Sequence, residues 1–233
     1  MLKFIGIGSC FNTQLGNTSA YYKENESLLI IDCGESIFSK ILEQNLLKDV
    51  KNVYIAITHT HSDHVGSLGS FVFYLNYIKG IIPKIITTIQ QKKTINEYLA
   101  LSGVAQTEYD LIKGNELGCF SKLEKIVMNK ANHTDRLTSY AIELYFKDNT
   151  IYYVGDNNDS NYIKSIVEKL KENDIIYTDA TIQDYPNSVH ITLATLSEII
   201  PLNRRRQVKC MHFDGEDTIE KAKSLGFGVA SCE

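Results

Sequence analysis

Short apolar runs alternate with polar, turn-forming stretches along the chain, a pattern that predicts alternating strands and helices. Runs rich in β-branched residues predict buried strands, and apolar residues at helical spacing predict amphipathic helices. The predicted strands are 4–7, 17–22, 28–31, 53–57, 84–88, 123–128, 140–146, 150–154, 175–177, 207–211 and 228–231, and the predicted helices are 36–47, 68–77, 94–101, 162–170, 193–200 and 217–224. This order of elements indicates an α/β fold.

Composition adds several limits to this picture. With 233 residues, 43% of them hydrophobic, the chain can bury a substantial core, and we expect residues 1–233 to form one domain. No apolar run approaches the roughly 20 residues that span a bilayer, which predicts a soluble, cytoplasmic protein. The net charge of −4 argues against binding to a nucleic acid backbone, and the five scattered cysteines favour free thiols over disulfides.

The stretch Thr58-His59-Thr60-His61-Ser62-Asp63-His64 is the strongest chemical signal in the sequence. It holds three imidazoles and one carboxylate, and it follows the predicted strand 53–57 at the end where open α/β sheets place their sites. Imidazole nitrogen and carboxylate oxygen are ligands of zinc and similar divalent ions. Because alternate positions can point at two different ions, the spacing predicts a dinuclear site; a solvated polar loop is the alternative.

This motif is the signature of the metallo-β-lactamase superfamily, which the chain resembles along nearly its whole length. The resemblance implies an αββα sandwich, in which two mixed β-sheets are flanked by helices. It also implies a third histidine ligand at His133 and a bridging aspartate at Asp156, each just after a predicted strand. Asp32, in an Asp-Cys-Gly sequence, is a candidate for a position beneath the ligands, with a turn or helix-capping role as the alternative.

The last third of the chain is similar to ribonuclease Z and its phosphodiesterase relatives. In that branch a His-Glu-Ala-Thr element is followed by a histidine before a helix and then by a final metal-binding histidine. Thr178-Asp179-Ala180-Thr181 resembles the first element, with Thr and Asp in place of His and Glu, and His190 and His212 resemble the second and third. The resemblance implies that Asp179 orients His190 through a hydrogen bond.

The expected ligands divide into two sets. One ion is held by His59, His61 and His133, the other by Asp63, His64 and His212, with Asp156 between them. We expect two divalent cations, zinc from the donor types, with manganese as the alternative. Asp63 is also a candidate to accept a proton from the attacking water. His190 is the candidate acid for the departing alkoxide, unless it only begins a helix.

The segment between His133 and Asp156 bears on the substrate. Ribonuclease Z members that process tRNA carry a long arm here, whereas two predicted strands and a hairpin turn use up residues 134–155. This favours a small phosphodiester, such as a cyclic mononucleotide, over folded RNA or any stable nucleic-acid partner. Armless relatives that the chain resembles include the phage anti-Pycsar proteins, which destroy cyclic mononucleotide signals of bacterial defence. They imply a homodimer, in the host cytoplasm if the protein is phage-encoded.

Three other functions stay open at this point. An RNA-processing nuclease of ribonuclease Z type, or a thioester or lactone hydrolase of the superfamily, would use the same metal set, although the latter does not need Asp179 and His190. A catalytically idle nucleotide-binding module usually loses ligands, and this chain keeps each of them. The run Arg204-Arg205-Arg206 is predicted to be a solvated loop outside the site.

Overall fold

Two six-stranded β-sheets form the centre of the protein, for which a computed structural model describes residues 1–186 and 188–232. The first sheet contains, in spatial order, β1 (Lys3–Gly6), β2 (Ser19–Glu24), β3 (Ser27–Ile31), β4 (Asn52–Ala56), β5 (Lys84–Ile86) and β6 (Asp110–Ile112). The second contains β7 (Leu123–Ala131), β8 (Ser139–Phe146), β9 (Thr150–Gly155), β10 (Ile175–Asp179), β11 (Val208–Met211) and β12 (Gly228–Val229).

Both sheets are mixed in the same way. In each, the first three strands pair antiparallel, and the third strand begins a parallel group that continues to the end of the sheet. Parallel strands place their carboxyl ends, and the loops that follow them, along one edge of a sheet. The polar motifs after β3, β4, β9, β10 and β11 therefore emerge at such edges.

Helices cover the outer faces of the two sheets. They are α1 (Ile37–Glu43), α2 (Ser62–Val65), α3 (Leu68–Tyr74), α4 (Ile89–Leu101), α5 (Ser160–Lys169), α6 (Leu193–Ile199) and α7 (Glu216–Ser224). Apolar residues of α1, α3 and α4 pack on the first sheet, and those of α5, α6 and α7 pack with the second. The predicted αββα sandwich is confirmed.

The residues of β3 show why this central strand is apolar throughout. Leu29 and Ile31 join the core cluster between the sheets, whereas Leu28 and Ile30 face the helices of the first half. Successive side chains of a strand point to opposite faces, so a strand covered on both sides needs apolar residues at every position. All four side chains are fully buried.

Several predicted boundaries differ from the structure. Helix α1 stops at Glu43 because the chain turns through a left-handed conformation at Asn45 (φ 53°). Helix α4 begins five residues earlier than predicted, since the Thr88 side chain accepts a hydrogen bond from the Gln91 amide and caps it. The three-residue β6 was not predicted. None of the helices in the described residues is long and apolar enough to cross a bilayer.

The prediction of a solvated loop is wrong for Arg205. The arginine run lies in a 3₁₀ helix, Leu202–Gln207, immediately before β11. The Arg205 guanidinium donates hydrogen bonds to three backbone carbonyl oxygens, those of Ile200 (3.2 Å), Leu225 (2.7 Å) and Ser197 (2.7 Å). It therefore ties the end of α6 to the end of α7 beside the strand that leads to His212.

Arg205→Met should lower the free energy of unfolding by roughly 2–3 kcal/mol, because it leaves three carbonyl groups without their charged donor. It also removes the guanidinium from its position 5.1 Å from the centre of the Phe227 ring. Urea denaturation measures the effect. The exposed neighbour Arg206 is the matched control, and Arg206→Met should change stability by less than about 0.5 kcal/mol. Equal losses in both variants would contradict this account.

Candidate metal centre

Loops from both sheets bring the predicted site residues together. The loop after β4 supplies His59 and His61, and α2 supplies Asp63 and His64. From the second sheet, the segments after β7, β9 and β11 supply His133, Asp156 and His212. Only His61 of these seven is partly exposed; the others are buried. The structure thus gathers the whole set of predicted ligands, while their roles as ligands stay a prediction.

Asp156 lies at the centre of the cluster. Its Oδ2 atom is within 4.0 Å of one ring nitrogen of each of five histidines: His64 (3.4 Å), His212 (3.5 Å), His133 (3.7 Å), His59 (3.9 Å) and His190 (4.0 Å). Its Oδ1 atom is buried and has no hydrogen-bond partner among the described residues. A single carboxylate with one unsatisfied oxygen between two groups of imidazoles has the position expected of a bridging ligand.

The first predicted set converges through its ring nitrogens. His61 Nδ1 lies 2.9 Å from His59 Nε2 and 3.3 Å from His133 Nε2. The other nitrogen of His133 lies 3.1 Å from the carbonyl oxygen of Val189, to which it donates, so its Nε2 carries a lone pair. One donor atom from each of the three residues falls within 4.8 Å of the other two.

The second predicted set is built around a carboxylate. Asp63 Oδ2 lies 3.2 Å from His64 Nε2 and 3.2 Å from His212 Nε2, and the three donor atoms again lie within 4.8 Å of one another. Two further groups share members with these sets. One joins His59 and His64 to Asp156, as a bridge requires, and the other joins His133 and Asp156 to His190.

A hydrogen-bond network beneath the cluster sets the orientation of two imidazoles. The Thr58 hydroxyl donates to Asp32 Oδ2 (2.8 Å), so it accepts from His59 Nδ1 at 3.0 Å. His64 Nδ1 lies 2.9 Å from Asp32 Oδ2 and donates to it. His59, whose ring is kept neutral by burial, therefore carries its lone pair on Nε2, and His64 turns its own Nε2 toward the cluster, as second-layer partners of metal sites commonly arrange. Thr58 is a residue whose part in this network the sequence analysis missed.

The structure decides between the two interpretations of Asp32. This residue does not cap α1, since the N-cap is Ser36. Its carboxylate instead accepts from the Thr58 amide (2.7 Å), the Thr58 hydroxyl and His64. Asp32 and His212 also adopt left-handed backbone conformations (φ 65° and 59°), which cost free energy and tend to persist where a site needs them.

Charge in the cluster is divided between neutral and ionised groups. Burial lowers the pKa of His59, His61 and His133, which favours the neutral imidazole that binds metal. Burial also opposes ionisation of Asp156, yet the neighbouring His212 and His64 hold the pKa of that carboxyl well below its usual range. The pKa of His64 is raised well above its usual value, against its burial, by the charges of Asp156 and Asp32.

These features fit divalent cations. The buried carboxylates need positive charge, and the Asp156 Oδ1 atom has no partner among the described residues. Ring nitrogens of His59 and His133 also lie within 3.3 Å of His61 Nδ1. Nitrogen and carboxylate oxygen are the donors that zinc prefers. The residues present can therefore hold divalent metal, with the His59, His61, His133 group and the Asp63, His64, His212 group on either side of Asp156.

His190 and Asp179 form the contact that the sequence predicts. His190 Nδ1 lies 2.8 Å from Asp179 Oδ2, so the shorter aspartate does reach the ring. Burial lowers the pKa of the His190 imidazole, but the hydrogen bond and the charge of Asp179 outweigh it and raise the pKa to about 9. This shift favours the protonated imidazole, and the ring is held beside Asp156 at the edge of the cluster, with Nδ1 4.0 Å from Asp156 Oδ2.

Gly34→Ala should destabilise the protein by roughly 1–3 kcal/mol and lower its metal content, because there is no space for the added methyl group. A Cβ at this position would lie 1.9 Å from the carbonyl oxygen of Asp63 and would push the histidine loop away. Gly118→Ala is the matched control, since a Cβ there meets no atom within 4 Å. Urea denaturation and elemental analysis measure both effects, and unchanged metal content in Gly34→Ala would contradict the predicted tight fit.

An open cleft of about 160 Å³ adjoins the cluster. His190 and His212 line it together with the loop after β1 and the segment after β10. Three of its other lining residues, Phe11, Tyr185 and Asp214, were not predicted as site residues. The signal available for Phe11 was an aromatic residue in a polar, turn-forming stretch, which also occurs on ordinary surfaces.

Comparison with known proteins extends these observations. Residues 1–229 match the family model described as "Anti-Pycsar protein Apyc1". The anti-Pycsar protein Apyc1 of Paenibacillus harenae is 24% identical over 232 residues, covering 94% of this chain and 91% of that protein. The protein of the same name from Bacillus phage BSP38 is 23% identical over 250 residues, covering 98% of this chain and 95% of its own.

A solved structure shares the fold. The metallo-β-lactamase fold protein YhfI of Bacillus subtilis superposes with a TM-score of 0.73 at 16% identity, covering all of this chain and 95% of its own. The metallo-β-lactamase fold implied by the histidine motif is therefore confirmed. Because the family model spans almost the whole chain, from Met1 to Val229, the protein belongs to the anti-Pycsar protein Apyc1 family.

Proposed function

We propose that the protein is a dinuclear-metal phosphodiesterase that hydrolyses cyclic mononucleotides. The observation that carries the proposal is a complete cluster of imidazoles and carboxylates that has His190 at its edge and opens into a small cleft. The relatives of the chain are named anti-Pycsar proteins, and one of them comes from a Bacillus phage, which supports a role against bacterial defence. The proposal includes a homodimer in the cytoplasm, and sedimentation analysis would test the dimer.

The short stretch of chain between His133 and Asp156, which both follow strands of the second sheet, supports a small substrate. Between His133 and Asp156 the chain forms β8 and β9, which leaves only residues 134–138 and 147–149 outside the strands. Neither segment is long enough to form an arm that could grip a folded RNA.

The chain's own residues define the chemistry that we propose. Divalent ions held by the two ligand groups would activate the attacking water and neutralise charge on the phosphoryl oxygens. Asp63 is placed to accept a proton from that water. Asp156 holds the two ligand groups at a common centre, and Asp32 and Thr58 keep the imidazoles in their orientation.

His190 supplies the proton that the reaction consumes at the leaving group. Opening a cyclic nucleotide releases an alkoxide, which is a poor leaving group unless it is protonated as the bond breaks. The Asp179 carboxylate raises the pKa of His190, which favours its protonated form, and fixes its ring orientation. A positioned general acid of this kind contributes roughly 10²–10⁴-fold to the rate.

A substrate panel tests the function. We expect the purified, metal-loaded protein to hydrolyse cyclic mononucleotides to linear nucleotides much faster than it trims precursor tRNA, or than it hydrolyses a thioester or a lactone. Chromatography identifies the nucleotide products. Asp156→Ala protein prepared in parallel is the control for contaminating nucleases.

Each alternative function has its own outcome in the same panel. Site-specific processing of the tRNA 3′ end at a rate comparable to cyclic-nucleotide hydrolysis would establish an RNA-processing nuclease. Turnover of the thioester or lactone alone would establish the other hydrolase class. Tight nucleotide binding without any turnover would identify a binding module.

A further inference from the structure

The cleft beside the metal centre has two exposed aromatic side chains on its lining. Phe11 is 94% exposed and Tyr185 is 50% exposed, and each comes from a different segment of the chain. Exposed aromatic rings at the mouth of a site provide flat apolar surfaces on which planar ligands stack.

Hydrogen bonds made by Ser9 and Asn12, on either side of Phe11 in the sequence, hold this segment in place. The Asn12 side chain donates to the carbonyl oxygens of Phe213 (3.2 Å) and Asp214 (3.3 Å) and accepts from the Leu15 amide (3.2 Å). The Ser9 amide also donates to the carbonyl oxygen of Phe213 at 2.9 Å. Phe11 therefore projects from a loop that is bound to the segment immediately after His212.

The segment that carries Tyr185 is anchored to the same region. The Thr181 hydroxyl donates to Asp214 Oδ2 (2.7 Å) and accepts from the Gln183 amide (2.9 Å). Beyond Tyr185, the carbonyl oxygen of Ser188 accepts from the Asn158 side chain at 2.8 Å. Both aromatic residues are thus attached to the framework that holds the histidines.

Asp214 provides a polar edge to this cleft. One of its carboxylate oxygens accepts from Thr181 and the other from Thr218, each at 2.7 Å. A carboxylate has about four acceptor positions, so each oxygen keeps capacity for a further donor. The side chain is exposed, and a ring amino or imino group in the cleft could donate to it.

We propose that this cleft is a nucleobase pocket, in which the base of the substrate stacks on Phe11 and Tyr185 while its phosphodiester lies at the histidine cluster. The ligand class is an aromatic heterocycle with hydrogen-bond donors on its edge, which combines the stacking surfaces with the Asp214 acceptor. The inference rests on the proposed function for the position of the phosphodiester, but its central test does not depend on hydrolysis.

Tryptophan fluorescence tests the pocket directly. The natural chain contains no tryptophan, so Phe11→Trp introduces a single reporter at an exposed position in the metal-loaded protein. We expect cyclic mononucleotides and their linear products to quench its fluorescence saturably. A cyclic ribose phosphate with hydrogen in place of the base should not. Tyr77→Trp, at another exposed aromatic position outside the cleft lining, is the matched control and should show only weak, non-saturable quenching.

Kinetics supply a second readout. Phe11→Ala and Tyr185→Ala should each raise KM for a cyclic mononucleotide by roughly 5- to 150-fold with kcat little changed, the range expected from loss of base stacking. Tyr185→Phe should behave like the natural protein because it keeps the ring. Neither alanine variant should change kcat/KM for the base-free cyclic phosphate.

The outcomes separate this inference from the proposed function. Equal quenching at both reporter positions, or equal losses on nucleotide and base-free substrates, would overturn the nucleobase pocket. Saturable quenching of Phe11→Trp in a protein that turns over no cyclic nucleotide would support the pocket while the phosphodiesterase proposal fails. Turnover of cyclic nucleotides without quenching would leave the phosphodiesterase and refute the pocket.

Discussion

Asp156→Ala should lose at least one of two bound divalent ions per chain and lower the rate of hydrolysis by several orders of magnitude. The carboxylate lies within 4.0 Å of five imidazoles, and its second oxygen is buried without a partner among the described residues, so its loss removes the anion at the centre of the cluster. Elemental analysis of the natural protein and the variant measures metal content, and a steady-state assay measures the rate.

Asp148→Ala is the matched control for this prediction. Asp148 is an exposed aspartate in the turn that connects β8 and β9, the hairpin that also leads to Asp156. Its replacement should change neither metal content nor rate. If Asp156→Ala kept two ions and ordinary activity, a bridging role for Asp156 would be wrong. If the natural protein held one ion or none after careful preparation, the dinuclear interpretation itself would be wrong.

The second prediction with a large expected effect concerns protonation of the leaving group by His190. His190→Ala should keep both ions but lower turnover of a cyclic mononucleotide by roughly 10²–10⁴-fold, because the departing alkoxide loses its proton donor. Turnover of bis-(p-nitrophenyl) phosphate should fall much less, since its phenolate departs without a proton. Asp179→Asn should show a weaker form of the same pattern, because it removes the charge that keeps His190 protonated but preserves the shape of the side chain.

The position of His190 also gives a meaning to other outcomes of the His190→Ala experiment. One group of potential ligands contains His190 together with His133 and Asp156, so His190 has a possible place in the metal site itself. Loss of metal from His190→Ala would assign it there and remove it as the acid. Equal losses on both substrates with metal retained would mean that His190 contributes to substrate binding or to the shape of the site.

Much of the fold and the cluster was predictable because the information is local. The apolar residues of β3 and β4 are consecutive, and the seven residues Thr58 to His64 carry four candidate ligands directly after a buried strand. A pattern of this kind needs only the alternation of strand side chains and the donor chemistry of histidine and aspartate to be interpreted. The more distant candidate ligands, His133, Asp156 and His212, were inferred from a family resemblance and not from spacing alone.

Short or irregular features were not predictable from local patterns. Strand β6 is only three residues long, and it forms because β5 offers a free edge for parallel pairing. Arg205 belongs to a charge run that is usually solvated, yet three carbonyl groups at the ends of two helices, α6 and α7, accept hydrogen bonds from it. In both cases the partners belong to other elements, and only the packing of those elements brings them into reach, so the local pattern contains no trace of them.

The sequence by itself determined which strands are buried, where the main histidine motif lies, and that the motif carries donor groups of the kind that bind divalent metals. The tertiary structure decided that Asp32 supports His64 instead of capping a helix, that Asp156 lies among five imidazoles, and that Phe11 and Tyr185 line one cleft. The physical reason is the same in each case. Strand periodicity acts between neighbouring residues, whereas these contacts depend on the order and register of strands in two sheets, which bring together side chains more than a hundred positions apart, as with Asp63 and His212.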